Sequence, residues 1–195
     1  MTTPRPLVLA SSSPYRHALL QRLGLPFIAV SPGLDESRRP SEPPETYVGR
    51  LARAKATTVS REHPQAVIVG SDQTCVRNDA MLGKPRSLQE GIEQLLAASG
   101  SAVRFLTALC VLDARDGSVQ TEVVPYSVRF RELDQATVER YLSREPALDS
   151  AGSFHAEGLG ISLFESMEGS DPTALVGLPL IALCRALRRL GYEIP

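Results

Sequence analysis

Short apolar runs alternate with amphipathic, end-capped segments along almost the whole of this sequence, and that alternation leaves few architectures open. Leu7 to Ala10, Phe27 to Val30 and Ala66 to Gly70 have the length and composition of strands, the last being the clearest buried one. Between the first two lies a helical segment ending near Leu23. Ser13 is its natural N-cap, Pro14 its first residue and Gly24 its stop. A loop from Ser31 to Pro44 carries four prolines and the pair Asp35-Glu36, and a helix is expected from Glu45 to Arg61. Ser87 and Glu90 have capping-box spacing for a helix that stops near Gly100. Val103 to Leu112 and Val119 to Arg131 read as a hairpin around Asp116-Gly117. Asp134 caps a further helix, and a last one is expected from Val176 to Leu190. Strands and helices in alternation, with one antiparallel hairpin, indicate an α/β fold on a mixed sheet.

Composition narrows the function. The 195 residues suit one domain, taken here as 1–195, and 43% hydrophobic residues are too many for a disordered chain. No apolar run approaches the roughly 18–20 residues that span a bilayer. Met1 to Pro6 lacks the apolar stretch of a signal peptide, so a cytoplasmic protein is expected. A formal charge of −1 argues against nucleic-acid binding, which needs a basic field. Cys75, Cys110 and Cys184 form no C-x-x-C pair and read as small buried hydrophobes, with neither zinc site nor disulfide framework. Of 21 cationic residues only Lys55 and Lys84 are lysine. Arginine, Arg38 included, supplies the generic surface charge. A retained lysine marks a place that wants a compact ammonium.

Three constellations carry chemistry. At Leu9 to Arg16 a strand enters a helix through a serine-rich turn. The helix N-terminus, the hydroxyls of Ser11 and Ser13 and the fork of Arg16 could receive a phosphate, or could form an ordinary capped helix. No P-loop or dinucleotide-binding glycine pattern accompanies them. Asp72 stands where the Ala66–Gly70 strand is expected to end. There it could hold Mg²⁺, take a proton from water, or simply cap a turn. Lys55, late in a helix, and Lys84, in the turn Gly83-Lys84-Pro85, could neutralise a polyphosphate, with Glu36 as a second carboxylate for metal.

Together these residues resemble the Maf family of house-cleaning nucleoside triphosphate pyrophosphatases. The likeness is carried by Leu9 to Arg16, Asp35-Glu36, Ala52 to Ala56, Gly70 to Gln73 and Gly83 to Pro85. Ala151 to Phe154, Glu157-Gly158 and Val176 to Pro179 extend it. It implies a twisted mixed sheet flanked by helices, with a cleft between two lobes, as in inosine triphosphate pyrophosphatases. It also implies a divalent cation (Mg²⁺ or Mn²⁺) at Glu36 and Asp72, catalysis by Asp72, Lys55 and Lys84, and substrate binding by Ser11, Ser13 and Arg16. A small-molecule nucleoside triphosphate is the implied partner, and a homodimer the implied assembly.

Within the family, Tyr15, Gln73 and Glu157 depart from the dTTP/UTP branch and resemble the branch acting on 7-methyl-GTP. The chemistry agrees. N7 methylation leaves guanine cationic, so the Tyr15 face can stack on it and the Glu157 carboxylate can accept from its N1–H and amino group. His155 stands where that branch often has lysine. The alternatives are a dTTP/UTP pyrophosphatase and a nucleotide-binding cell-division regulator without turnover.

Overall fold

A computed structural model describes residues 5–195. Of the N-terminal segment on which the signal-peptide expectation rests, 1–4 lie outside the described residues. The strands are β1 (Leu7–Leu9), β2 (Phe27–Ala29), β3 (Val67–Arg77), β4 (Ala80–Leu82), β5 (Ala102–Asp113), β6 (Val119–Phe130) and β7 (Phe164–Gly169). The helices are α1 (Pro14–Gln21), α2 (Pro44–Ser60), α3 (Leu88–Ala98), α4 (Gln135–Arg144) and α5 (Leu180–Arg189). The strands form one mixed sheet in the order β2-β1-β3-β5-β6-β7, with β4 paired to β3. β1 is parallel to both neighbours, and every pairing from β3 onward is antiparallel.

Because side chains alternate across a pleated strand, β3 feeds two cores. Val67, Val69 and Cys75 join a larger cluster with apolar residues of α1, α3, α4 and α5. Ile68 and Val76 face a smaller one with Val48, Ala52, Ala56 and Val59 of α2. The sheet is therefore covered on both sides, as the strand–helix alternation requires. Gly70 lets α2 approach closely. A Cβ there would collide with the Ala52 carbonyl and the Ala56 backbone.

The caps expected at Ser13, Ser87 and Asp134 are present, accepting from the backbone N–H of Arg16, Glu90 and Thr137. The Glu90 carboxylate reaches one residue further than a capping box requires, accepting from the Arg86 N–H at 2.8 Å. Two expectations are corrected. β3 does not end at Gly70 but continues to Arg77, because residues 71–76 keep their ladder with β5. α5 starts at Leu180 instead of Val176, since Gly177 takes a left-handed φ of 113° and Pro179 follows. The edge strand β7 is not expected from the sequence, because its side chains are largely exposed and so lack the alternation that marks strands. The three cysteines are free, and burial pushes the Cys75 thiol up to about 12. No helix of the described residues is long and apolar enough to cross a membrane.

Candidate active site

All but one of the candidate site residues, Glu157, converge on one cleft of about 830 Å³. Its floor is built where β1 enters α1. Ser11 Oγ accepts from the Ser13 N–H at 3.1 Å, and Ser13 Oγ accepts from the Arg16 N–H at 3.4 Å. Both hydroxyls act there as acceptors, so their own hydrogens stay available to an anion. Arg16 donates Nε to the Gly177 carbonyl at 2.8 Å, which fixes the guanidinium and leaves its terminal N–H groups for the cleft. Burial pushes Arg16 down from its ordinary value, and the charges of Asp72 and Glu36 oppose that. An arginine stays charged under such opposition.

Asp72 lies in the middle of β3, on the face turned toward α2. The close approach at Gly70 brings Lys55 over it. Lys55 is only 4% exposed, with Nζ 2.6 Å from Asp72 Oδ1 and 2.8 Å from Glu36 Oε1. One ammonium thus holds two carboxylates on different elements. Burial raises the Asp72 carboxyl above its ordinary value, Lys55 and Arg16 pull it back, and Glu36 raises it further. Such a carboxylate is a better proton acceptor than a free one. Lys84 lines the cleft, exposed and without a hydrogen bond or ion pair among the described residues.

The loop before α2 closes one side and is pinned to that helix. Glu42 is buried and receives Arg50 through Nε at 2.6 Å and Nη2 at 2.8 Å. The Tyr47 hydroxyl donates to the Glu36 carbonyl at 3.0 Å. Arg38 corrects its reading as generic surface charge: it lines the cleft and donates to the Glu42 carbonyl through Nε at 2.9 Å.

The opposite rim is acidic and aromatic. The Tyr15 hydroxyl donates to Asp149 Oδ2 at 3.2 Å, and His155 Nε2 lies 2.8 Å from Asp149 Oδ1. The Tyr15 and His155 rings are tilted at 36° with centroids 5.5 Å apart. Burial raises the Tyr15 phenol, and the charges of Asp149, Glu157 and Glu145 raise it further, so Tyr15 stays a neutral donor. Burial alone would raise Asp149, but its bonds to His155 and Tyr15 outweigh that and hold it below the ordinary value.

A family model for Maf-like proteins matches residues 6–190. The chain belongs to the Maf family. It is 53% identical over 189 residues to the 7-methyl-GTP pyrophosphatase of Alkalilimnicola ehrlichii, covering 97% of this chain and 95% of that one. It is also 53% identical to the 7-methyl-GTP pyrophosphatase of Pseudomonas syringae pv. syringae, over 97% of this chain and 98% of that one. A relative of the same name from Pseudomonas fluorescens is 52% identical over 97% and 99% of the two chains.

In this Maf chain the cleft gathers Ser11, Ser13, Tyr15, Arg16, Glu36, Lys55, Asp72, Gln73 and Lys84, but not Glu157. Glu157 is exposed just outside, where its charge is felt by Tyr15 and Tyr141. Gln73 lines the cleft while its amide N–H groups go to the carbonyls of Ala174 at 2.7 Å and Leu175 at 3.0 Å. It thereby ties β3 to the turn before α5. Sequence reasoning missed Asp149, Tyr47 and the role of Arg38. Each sits in a loop or on a helix face with no local pattern, and only the tertiary fold brings it to the cleft.

Proposed function

We propose that the protein hydrolyses 7-methyl-GTP to 7-methyl-GMP and pyrophosphate, acting as a single domain. The observation that carries this reading is the polarity of the cleft. Arg16 and Lys55 come together around Asp72 and Glu36, whereas Asp149 lines the cleft beside Tyr15, and Lys84 adds a further cation to the lining. A triphosphate suits the first, and a flat, positively charged base suits the second. The relatives' shared activity name supports the same choice.

Glu36 and Asp72 fit a divalent cation. They are two carboxylates gathered at one point by Lys55 and facing an open cleft. No group of three or more metal-ligating side chains occurs among the described residues. Mg²⁺ is commonly held by one or two carboxylates with substrate phosphates and waters completing its shell. A cation bound there would supply charge neutralisation at the phosphate oxygens. The chain's own groups do the rest. Ser11, Ser13, Arg16 and Lys84 bind and orient the phosphates. Lys55 holds Asp72, whose carboxylate takes a proton as water oxygen joins phosphorus and the anhydride bond breaks, releasing pyrophosphate. Tyr15 stacks on the base, and Gln73 holds the adjoining turn.

The test is pyrophosphate release with Mg²⁺ or Mn²⁺ across 7-methyl-GTP, GTP, dTTP and UTP. The highest kcat/KM is expected for 7-methyl-GTP. A preference for UTP or dTTP would reassign the substrate, and binding without turnover would make the protein a nucleotide sensor.

A further inference from the structure

Glu157 is the acidic residue that the sequence offers for base recognition, yet it does not line the cleft, and Asp149 does. Asp149 is held from two sides, by the Tyr15 hydroxyl at 3.2 Å on Oδ2 and by His155 Nε2 at 2.8 Å on Oδ1. Its side chain is nevertheless 57% exposed, while that of His155 is 14% exposed. A carboxylate oxygen accepts more than one hydrogen bond, so both oxygens keep capacity for a ligand. The carboxylate is therefore oriented by the protein and open to the cleft. We infer that Asp149 is a specificity-determining residue, selecting a positively charged purine ring at this site with Tyr15 and His155 as its positioning residues, a proposal resting on the 7-methyl-GTP reading above.

Two physical effects combine here. Asp149 attracts a cationic ring directly, and at a half-enclosed rim that attraction is screened less than in open water. It also accepts the Tyr15 hydroxyl, which pushes electron density into the phenol ring and strengthens the pull of its face on a cation. An uncharged guanine gains little from either effect. The same carboxylate repels phosphate, so it favours the pose with the base at the rim and the phosphates toward Arg16, Lys55 and Lys84. Glu157 and Glu145 add to the negative field at Tyr15. Glu145 is occupied with the backbone N–H groups of Leu159 and Gly160, both at 3.2 Å. Asp149 is then the carboxylate that would meet the base.

The experiment compares 7-methyl-GTP with GTP, which differ only in the N7 methyl group and its charge. Wild type, Asp149→Asn and Asp149→Glu are assayed for kcat/KM on both, with melting temperatures recorded alongside. Asp149→Asn keeps the size and removes the charge, and should lower the 7-methyl-GTP to GTP ratio about tenfold, the scale of a lost charge-assisted contact. Asp149→Glu should recover part of the ratio. Equal losses on the two nucleotides, or an unchanged ratio, would overturn the role of Asp149 while leaving the proposed function in place. A wild type that turns over 7-methyl-GTP no better than GTP, dTTP or UTP would overturn both. The wild-type measurement alone distinguishes that case.

Discussion

Asp72 carries its charge where burial works against it, and Lys55 is what makes the charge tolerable. Asp72→Asn keeps the shape, removes the proton acceptor and leaves Lys55 with Glu36 alone. Single-turnover pyrophosphate release should slow by about 10²–10⁴-fold, the usual loss for a missing general base. Near wild-type rates would remove Asp72 from the chemical step. The two lysines differ in a way that the sequence did not reveal. Lys55 is buried between carboxylates at 2.6 and 2.8 Å, so a broader guanidinium has to displace its neighbours. Lys55→Arg should cost about 1–3 kcal/mol of stability in urea unfolding as well as activity. Lys84 is exposed, so Lys84→Arg should lower kcat/KM with little change in the urea midpoint. Arg61, exposed at the end of α2, is the control whose exchange for Lys should change neither. If Lys55→Arg kept the wild-type midpoint, the tight seating of its ammonium would be refuted.

At the scale of elements, the loop from Ser31 to Pro43 and helix α2 act as one unit, because buried Glu42 locks onto Arg50. The Arg50 hydrogen bond pulls the Glu42 carboxyl from 4.5 to about 2. A depressed carboxyl contributes stability that is fully present above its unfolded pKa and is lost as pH falls through the folded one. Wild type should therefore lose stability between about pH 4.5 and about pH 2 through this group. In Glu42→Gln that component should be missing, and the melting temperature at pH 7 should be lower. Parallel stability profiles of the two proteins across that window would show that Glu42 is not the group responsible. The elements carrying the site were legible because their signals are local. Ser13-Pro14, Ser87 and Asp134 mark helix starts through bonds within one turn. The rest depended on partners distant in sequence. β3 extends past Ser71-Asp72-Gln73 because β5 pairs with it, although these polar residues look like a strand end. Phe164–Gly169 is a strand only because β6 offers it an edge. Asp149 matters only because α1 presents Tyr15 to it. Glu157 was legible as an acidic residue of the region, whereas its position outside the cleft is set by how the 150–160 loop folds onto α4 through Glu145 and Tyr141.

Across the whole molecule, the cleft joins the two faces of the sheet. Lys55 and Asp72 lie on the side packed by α2. Gln73 and the turn it holds lie on the side of the larger core, and Arg16 and Tyr15 reach the cleft from α1, which packs into that core. A nucleotide bound along the cleft would contact both sides at once, so its binding energy should stabilise the fold as a unit. A non-hydrolysable 7-methyl-GTP analogue with Mg²⁺, at about 100 times its dissociation constant, should add about 2.7 kcal/mol. For a chain of this size that is a rise of about 5–10 °C in melting temperature. Its two halves, 7-methylguanosine and inorganic triphosphate, each reach only one part of the cleft and should give smaller shifts at the same concentration. Removing the cation with a chelator should reduce the analogue's shift toward that of the nucleoside, because the carboxylates of Glu36 and Asp72 would then face the phosphates unscreened. Differential scanning fluorimetry with the three ligands, with and without chelator, measures all of this in one plate. If inorganic triphosphate alone matched the full analogue, the rim formed by Tyr15 and Asp149 would contribute nothing to binding, and the division of the cleft into a phosphate part and a base part would be wrong.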